Sequence, residues 1–356
     1  MPLRFSKSSF SNAAPWRVSA FFSATLCSLF ALSAPLSADP LQEALERAVD
    51  QHTIPAVEAF DTAAGALAET AGTSCLPADL KPGYQATFDA WMGLQHLHMG
   101  PVEANGRILA IAFWPDKKGM IPRALTGMIA DEDPVIEDPE EFQHVSIAAR
   151  GLFALEAMLY DKDFDGYEDG SYACHLTQRI AMDLGRMAKA IDTEWTEEGG
   201  FADTLKLAGD APNPQYLTPM ESVGALYTML TSGLENIKDQ RIARPIGTFE
   251  KPRPQRAEAR RSGRSQRNVV LALEATRDLT RKLAPGDMPQ TEEAFARTIE
   301  MAEALDDPSF ARVEDPMQRL KVEIIGQNIT TILGHIANEV GAPLGVSAGF
   351  NASDGD

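Results

Sequence analysis

Glu156 is the acidic residue whose place in the sequence most clearly demands a partner. It ends the stretch Gly151-Leu152-Phe153-Ala154-Leu155-Glu156, and steps of three and four residues lead from it only to apolar side chains. These are Phe142, Val145, Ala149, Leu152 and Leu159. That spacing predicts one buried face of a helix. Because an unpaired carboxylate there would be costly, we expect Glu156 to contact a cation, a hydrogen-bond donor or a metal ion.

Arginines concentrate in one segment of an otherwise acidic chain. The spacing of Arg260, Arg264 and Arg267 predicts a shared helical face, and small residues lie within Arg261-Ser-Gly-Arg-Ser265. Guanidinium groups bind oxyanions through paired hydrogen bonds, so one interpretation is a clamp for an anion or for Glu156. The other is a structural network that neutralises acidic neighbours. The whole cluster is Arg253, Arg256, Arg260, Arg261, Arg264 and Arg267.

Two histidines follow an aromatic stripe. Tyr84, Phe88, Trp91, Gln95 and His98 share one predicted helical face, whereas His96 points elsewhere. Either imidazole could bind a metal, but the two cannot face one ligand position of a helix. The alternative is a core histidine bonded to the backbone.

Two other pairs or segments have part of the ligand spacing that a metal site needs. His335 and Glu339 are neighbours on a predicted helix, which gives two ligands or an ordinary surface pair. The segment 161–166 with Asp169 resembles the start of a calcium loop. Its twelfth position is Tyr172 rather than a bidentate glutamate, so a solvated turn that ends a helix is the alternative.

Residues 1–38 have the features of a secretory signal. Arg4, Lys7 and Arg17 precede an uncharged run from 18 to 32, and Ala38 offers a small residue for cleavage. The chain has 51 acidic against 32 basic residues, a formal net charge of −19, and cleavage would remove three of the basic ones. We expect an exported protein that is soluble after cleavage and binds no nucleic acid.

Two cysteines remain beyond this signal. Cys75 and Cys174 would lie in an oxidising compartment, where one disulfide between them is the natural expectation. Two separate thiols are the alternative, because the sequence does not give their distance.

The remaining chain has the pattern of an all-α protein. Breakers such as Lys81-Pro82-Gly83 and Ala284-Pro285-Gly286 separate periodic segments. We predict a helical bundle over 39–210, a linker over 211–217, a second bundle over 218–340 and a flexible tail over 341–356. Residues 107–114 are expected to form a strand or an irregular apolar arm. The predicted helices span 40–70, 79–98, 141–160, 172–196, 218–240, 254–283, 290–306 and 314–340.

Several blocks taken in order resemble the imelysin family. They are 89–101, 112–116, 151–156 followed by Tyr160-Asp161, and 261–268. Gly151 and Glu156 match the family signature Gly-x-His-x-x-Glu, but Phe153 occupies the position of its histidine. The resemblance implies two helical halves, a role in iron uptake outside the cytoplasmic membrane, and a peptidase label. Phe153 cannot bind a metal ion, so a peptidase would lack this ligand.

We therefore expect a periplasmic binding or accessory protein that takes a small ligand or metal complex between two helical halves. Its cofactor would be iron or another divalent metal, and its partners would include membrane transport components. A metal-dependent peptidase and a structural envelope protein are the alternatives. We predict metal ligands at Glu156, His96 and His98. The predicted ligand-binding residues are Glu156, Gly151, Trp91, His98, Arg261, Arg264 and Ser265.

Overall fold

The computed structural model describes residues 39–347 except 211, 212 and 214. The predicted signal over 1–38 and the end of the predicted tail lie outside these residues. Within the described part the chain is helical, without a β-sheet, which confirms the all-α prediction. No helix of this part is long and apolar enough to cross a membrane.

The described residues before the predicted linker form nine helices. They are α1 (Pro40–Ala48), α2 (Ile54–Ala71), α3 (Pro77–Leu94), α4 (Arg107–Ile111), α5 (Met120–Asp131), α6 (Pro139–Phe142), α7 (Gly151–Tyr160), α8 (Tyr172–Thr196) and α9 (Phe201–Lys206). The described chain after it forms α10 (Pro219–Asn236), α11 (Ala243–Ile246), α12 (Ser265–Leu283), α13 (Pro289–Glu303), α14 (Pro316–Ile336) and α15 (Ala342–Leu344).

Short 3₁₀ turns connect several of these helices. They span Gly100–Val102, Ala104–Gly106, Pro134–Glu137, Ile147–Ala149, Pro254–Arg256 and Ala311–Glu314.

Three π-helical segments, Val49–Thr53, Ile237–Ile242 and Ala337–Gly341, join successive helices without a break. Each is followed by a helix with proline among its first three residues, namely Pro55, Pro245 and Pro343. Proline lacks the N–H for an α-helical bond and its ring crowds the carbonyl four residues earlier. The wider π turn relieves that conflict, so the chain continues in nearly the same direction.

The core joins helices from both sides of the 211–217 segment. α2 packs between α3 and α8, while α1 packs against α10 and α12, and α3 against α12. The largest fully buried side chains include Trp91, Trp195, Tyr84 and Phe60. The described residues form one compact unit. The division into bundles over 39–210 and 218–340 stays a prediction.

Several helix boundaries differ from those predicted. The predicted helix over 141–160 is broken before α7, because Gly151 has a φ of +68°. α3 ends at Leu94, and α12 begins only at Ser265. The predicted stripe from Phe142 to Glu156 is therefore interrupted. The predicted face of α3 holds for Tyr84, Phe88 and Trp91 but does not extend to His98. Arg260 lies before α12 and shares no helical face with Arg267.

Two further segments also depart from the prediction. Residues predicted as an extended arm form α4 and then a non-helical stretch with a cis peptide bond between Trp114 and Pro115. The beginning of the predicted tail contains α15.

Candidate functional site

Gly151 sets the position of α7 against the end of α4. A Cβ atom on Gly151 would lie 2.2 Å from the carbonyl oxygen of Ala110 and 2.3 Å from that of Ile111. Its positive φ is also a conformation that other residues adopt only with strain. Gly151 therefore permits a close approach between α7 and the end of α4. It places all residues from Gly151 to Leu159 in the interior.

Glu156 is buried, with 3 % of its surface exposed, and its partner is Ser262. The Oε1 atom accepts a hydrogen bond of 3.0 Å from the backbone N–H of Ser262 and one of 2.8 Å from its hydroxyl. Burial raises the pKa of Glu156, and the bonds from Ser262 and the charges of Arg261 and Arg260 only partly oppose this. The carboxyl group is thus a stronger base than an exposed glutamate.

Ser262 lies in a tight loop that precedes α12. Ala259 and Gly263 have φ values of +46° and +68°. The backbone N–H of Arg264 donates to the carbonyl of Ala259 at 3.0 Å, which closes the loop. The turn aims the Ser262 N–H and hydroxyl at Glu156, so a loop rather than a helical face supplies the donors.

The arginines near Glu156 bind other partners. Arg261 pairs with Asp161 at 2.5 Å. Arg264, only 1 % exposed, donates to the backbone and side-chain oxygens of Gln85 and to Asp89. Arg267 binds the same Asp89 carboxylate through two nitrogens. The expected arginine clamp on Glu156 is therefore replaced by Ser262, because Arg261, Arg264 and Arg267 already have acidic partners.

A cleft of about 210 Å³ opens beside Glu156. Phe153 and Trp114 form one wall with nearly parallel rings, whose centroids are 6.5 Å apart. The guanidinium of Arg244 lies 5.5 Å from the centre of the Trp114 ring. The charged and aromatic residues lining the cleft are Trp114, Asp116, Phe153, Glu156, Asp161, Phe164, Arg244, Arg256, Arg260 and Arg261.

Three of the four lining arginines have no carboxylate partner among the described residues. Arg244 has a buried Nε atom without a hydrogen-bond partner, and Arg260 donates only to the backbone of Gln255 at 3.2 Å. Burial and the charge of Arg256 lower the pKa of Arg244. The acidic groups of the cleft are largely engaged, since Asp116 accepts N–H bonds at the start of α5 and Asp161 binds Arg261. The cleft can therefore accept negative charge.

Other residues predicted for the site lie elsewhere. Trp91 is a core residue that packs against Phe60, and the hydroxyl of Ser265 donates to the carbonyl of Glu258. His98 is exposed beyond the end of α3, whereas His96 is buried against His52. Glu156 and Arg261 are thus the predicted residues that line the cleft. Gly151 lies at the start of α7, and Arg264 packs on Phe88, which contacts Phe153 of the cleft wall.

The predicted metal ligands are not brought together. Among the described residues, one group of at least three histidine, cysteine or acidic side chains has its ligand atoms close enough together to hold one ion. This group consists of Cys75, Asp169 and Cys174. Its two sulfur atoms form the predicted disulfide, with an S–S distance of 2.12 Å and 5.2 Å between the Cα atoms. The disulfide is confirmed, and Glu156, His96 and His98 do not form a metal site.

The two other metal hypotheses lack such a group as well. Asp161 binds Arg261, while Asp169 lies beside the disulfide, so the 161–169 segment is a turn and not a calcium loop. Glu339 accepts hydrogen bonds from the N–H and hydroxyl of Thr291, at 2.8 and 2.7 Å, and so caps the start of α13.

The sequence reasoning missed Ser262, Arg244 and Trp114 as site residues. Ser262 was part of the Arg-Ser-Gly-Arg-Ser run, and the pair Ser262-Gly263, which suits a turn, was the available signal. Arg244 precedes the arginine cluster in the sequence, and the packing of α11 against the turn Pro254–Arg256 brings it near. Trp114 was expected at the end of a strand or apolar arm, yet it forms a wall of the cleft.

Comparisons with known proteins bear on the fold and the family. An imelysin-like protein from Psychrobacter arcticum 273-4 superposes with a TM-score of 0.72 and 18 % identity, over 88 % of this chain and 98 % of that one. A proposed iron-regulated protein A precursor from Parabacteroides distasonis ATCC 8503 superposes with a TM-score of 0.66 and 14 % identity, over 87 % of this chain and 97 % of that one. No curated protein matches by sequence. The model of the family Imelysin (Peptidase_M75) matches residues 45–333, so the chain belongs to the imelysin family.

Proposed function

We propose that this imelysin-family protein binds a small anionic ligand in the cleft beside Glu156 and acts outside the cytoplasmic membrane in the acquisition of iron or another metal as an anionic complex. The observation that carries the proposal is the set of arginines lining the cleft without carboxylate partners, Arg244, Arg256 and Arg260. In so acidic a chain, unpaired guanidinium groups around one cavity favour an anion from solution.

The size and wall of the cleft restrict the ligand. A volume of about 210 Å³ is below the roughly 300–1,000 Å³ of sites for drug-sized molecules. Trp114 and Phe153 give a flat apolar wall, and the arginines supply planar donors. A carboxylic acid of a few carbons, an inorganic oxyanion or its metal complex fits these limits. Peptides of several residues do not.

Ligand binding in this site should depend on whether the carboxyl group of Glu156 is protonated. Its raised pKa makes the protonated form more accessible, and that form can donate to a ligand oxygen. When ionised, Glu156 repels an anion or binds a cation carried with it. The same carboxyl can therefore distinguish a bare anion from a metal complex.

The wider role rests on a structural neighbour and on the predicted signal. One structural neighbour is described as a proposed iron-regulated precursor, and the sequence predicts a secretory signal with release to the periplasm. These observations favour metal acquisition, with membrane transport components as partners. A larger cavity of about 570 Å³ near the disulfide suits an anion less well, because its arginine, Arg179, already donates to the carbonyl of Ile136.

Native mass spectrometry and elemental analysis of protein purified from the periplasm test the proposal. We expect a bound anion or metal complex that exchanges with added citrate or phosphate. Protein that carries no ligand and gains none from these anions would support a structural role. Chelator-sensitive cleavage of peptides by the same preparation would support the peptidase alternative.

A further inference from the structure

Two buried histidines, His52 and His96, lie within hydrogen-bond distance of each other and do not line the cleft. His52 lies in the π segment Val49–Thr53, and His96 follows the end of α3; they are 5 % and 2 % exposed. Their Nε2 atoms are 3.0 Å apart, a hydrogen-bond distance. The site proposed above does not use either residue.

Asp278 of α12 fixes the hydrogen positions. Its Oδ2 atom lies 2.8 Å from Nδ1 of His52, so the Nδ1–H of His52 donates to the carboxylate. In neutral His52 the Nε2 atom is then an acceptor, and Nε2–H of His96 must donate to it. Nδ1 of His96, which is buried without a hydrogen-bond partner, is left without a hydrogen.

This arrangement limits how many protons the pair can hold. The contact between the two Nε2 atoms accommodates one hydrogen. A proton added to His52 keeps the contact, because its charge is balanced by Asp278 and His96 can change tautomer. Protonation of both rings would set one N–H against another and break the contact.

The charges around the pair also oppose protonation of His96. Burial lowers the pKa of His96 most, followed by the charges of His52, His98 and Arg241. Arg241 belongs to the π segment after α10 and is paired with buried Glu258. The Asp278 end of the cluster also faces the cations of α12, since the charges of Lys282 and Arg281 act on that carboxylate.

Nδ1 of His96 is shielded from solvent, and the α10 backbone packs closely on this residue. A Cβ atom on Gly233 of α10 would lie 2.8 Å from Cβ of His96, and 3.4 Å from a methyl group of Thr276. His96 thus packs directly against the α10 backbone and is linked to α12 through His52 and Asp278. A charge on His96 in this buried position would be costly, which favours movement of the end of α3 away from α12 on protonation.

We propose that His52 and His96 form an acid-sensitive latch, which holds the end of α3 on α12 while the pair shares one hydrogen and releases it when both rings are protonated. α3 also carries Gln85 and Asp89, which bind Arg264 beneath the cleft. The latch therefore secures the helix that supports the site.

The direction of the effect follows from the lowered pKa. Below the ordinary histidine value of 6.5, the unfolded chain binds a proton at His96 that the folded chain excludes. Stability therefore falls as the pH falls, and each excluded proton raises the unfolding constant by up to about tenfold per pH unit. Above that value the latch has its full effect.

Unfolding by urea at several pH values tests the latch in the wild type and in His96→Gln, whose amide does not titrate. In the wild type the unfolding constant should rise steeply as the pH falls below about 6.5. We expect this rise to be smaller in His96→Gln, by a factor of up to about ten per pH unit. The matched control His144→Gln, at an exposed histidine, should keep the wild-type dependence. A His96→Gln variant with the wild-type dependence would overturn the proposal.

Nitrogen NMR of labelled histidines in the wild type provides a second measurement if the variant fails to fold. We expect His96 to keep one bare nitrogen well below pH 6.5, with hydrogen exchange at residues 94–99 increasing when it finally protonates. Protonation of His96 at the ordinary value, or Zn²⁺ binding that requires both imidazoles, would contradict the latch.

Discussion

Ser262 donates both its backbone N–H and its hydroxyl to the same oxygen of Glu156, at 3.0 and 2.8 Å. A neutral residue thus compensates the buried carboxyl, and no arginine of the described residues forms a hydrogen bond or ion pair with it. The charge of Glu156 therefore stays available to the cleft, whereas a bidentate arginine would have neutralised it.

Glu156→Gln should leave the fold intact, because the amide oxygen can accept the same two bonds. We expect a change in unfolding free energy within about 1 kcal/mol near pH 5. The folded pKa of Glu156 is raised, so its contribution is present below the ordinary value of 4.5 and is lost as the pH rises through the folded value.

Urea unfolding from about pH 4.5 to 8 should show this loss in the wild type but not in Glu156→Gln. The exposed Glu300→Gln is the matched control. Identical pH dependence in wild type and Glu156→Gln would contradict the assignment of a raised pKa to Glu156.

Gly151→Ala should destabilise the protein strongly. The new Cβ would meet two carbonyl oxygens of α4 at 2.2 and 2.3 Å, in a backbone conformation that strains alanine. We expect a loss of about 3 kcal/mol in thermal or urea unfolding. Gly127→Ala, in the exposed middle of α5 with open space around it, should be neutral or slightly stabilising. Equal stabilities of the two variants would rule out the close approach.

Asp89→Asn should weaken the support beneath the cleft. Burial alone would raise the pKa of Asp89, but hydrogen bonds from Arg267 and Arg264 outweigh it and lower the value. Loss of the charge leaves buried Arg264 without its ion pair, which we expect to cost about 1–3 kcal/mol at neutral pH. Asp239→Asn, which removes an exposed partner of Lys238, should change stability by less than about 0.5 kcal/mol. A cost for Asp89→Asn no larger than this control would show that the pair is unimportant.

The disulfide should contribute substantially to stability. Cys75 and Cys174 are 99 residues apart, so the bond restricts a long loop of the unfolded chain. Replacement of both by serine should cost about 2–5 kcal/mol in urea unfolding. Peptide mass after alkylation without reductant should show both cysteines unmodified, and alkylation of either in folded protein would contradict the bond.

The sequence was sufficient to predict what depends on local pattern and composition. The all-α class, the burial of Glu156 and the Cys75–Cys174 bond all followed from it. The continuation of the helix through 141–160 failed because the periodicity of Phe142 and Val145 does not reveal the positive φ of Gly151.

The remaining site depended on tertiary contacts. Arg244 and Trp114 line the same cleft as Glu156 because α11 and the segment after α4 pack near α7. Nothing in the local sequence of either residue indicates this. His52 and Asp278 are likewise far from His96 in the chain. Such partners come from packing, which spacing along one helix cannot give.

Calorimetric titration with citrate and with inorganic phosphate tests the anion-binding cleft most directly. We predict that the wild type binds at least one of them and that Arg244→Gln and Arg256→Gln each weaken binding about tenfold, or about 1.4 kcal/mol. Arg297→Gln, an equal change of charge at an exposed arginine of α13, should bind like the wild type. Binding that is unchanged in both cleft variants, or absent from the wild type, would contradict the account.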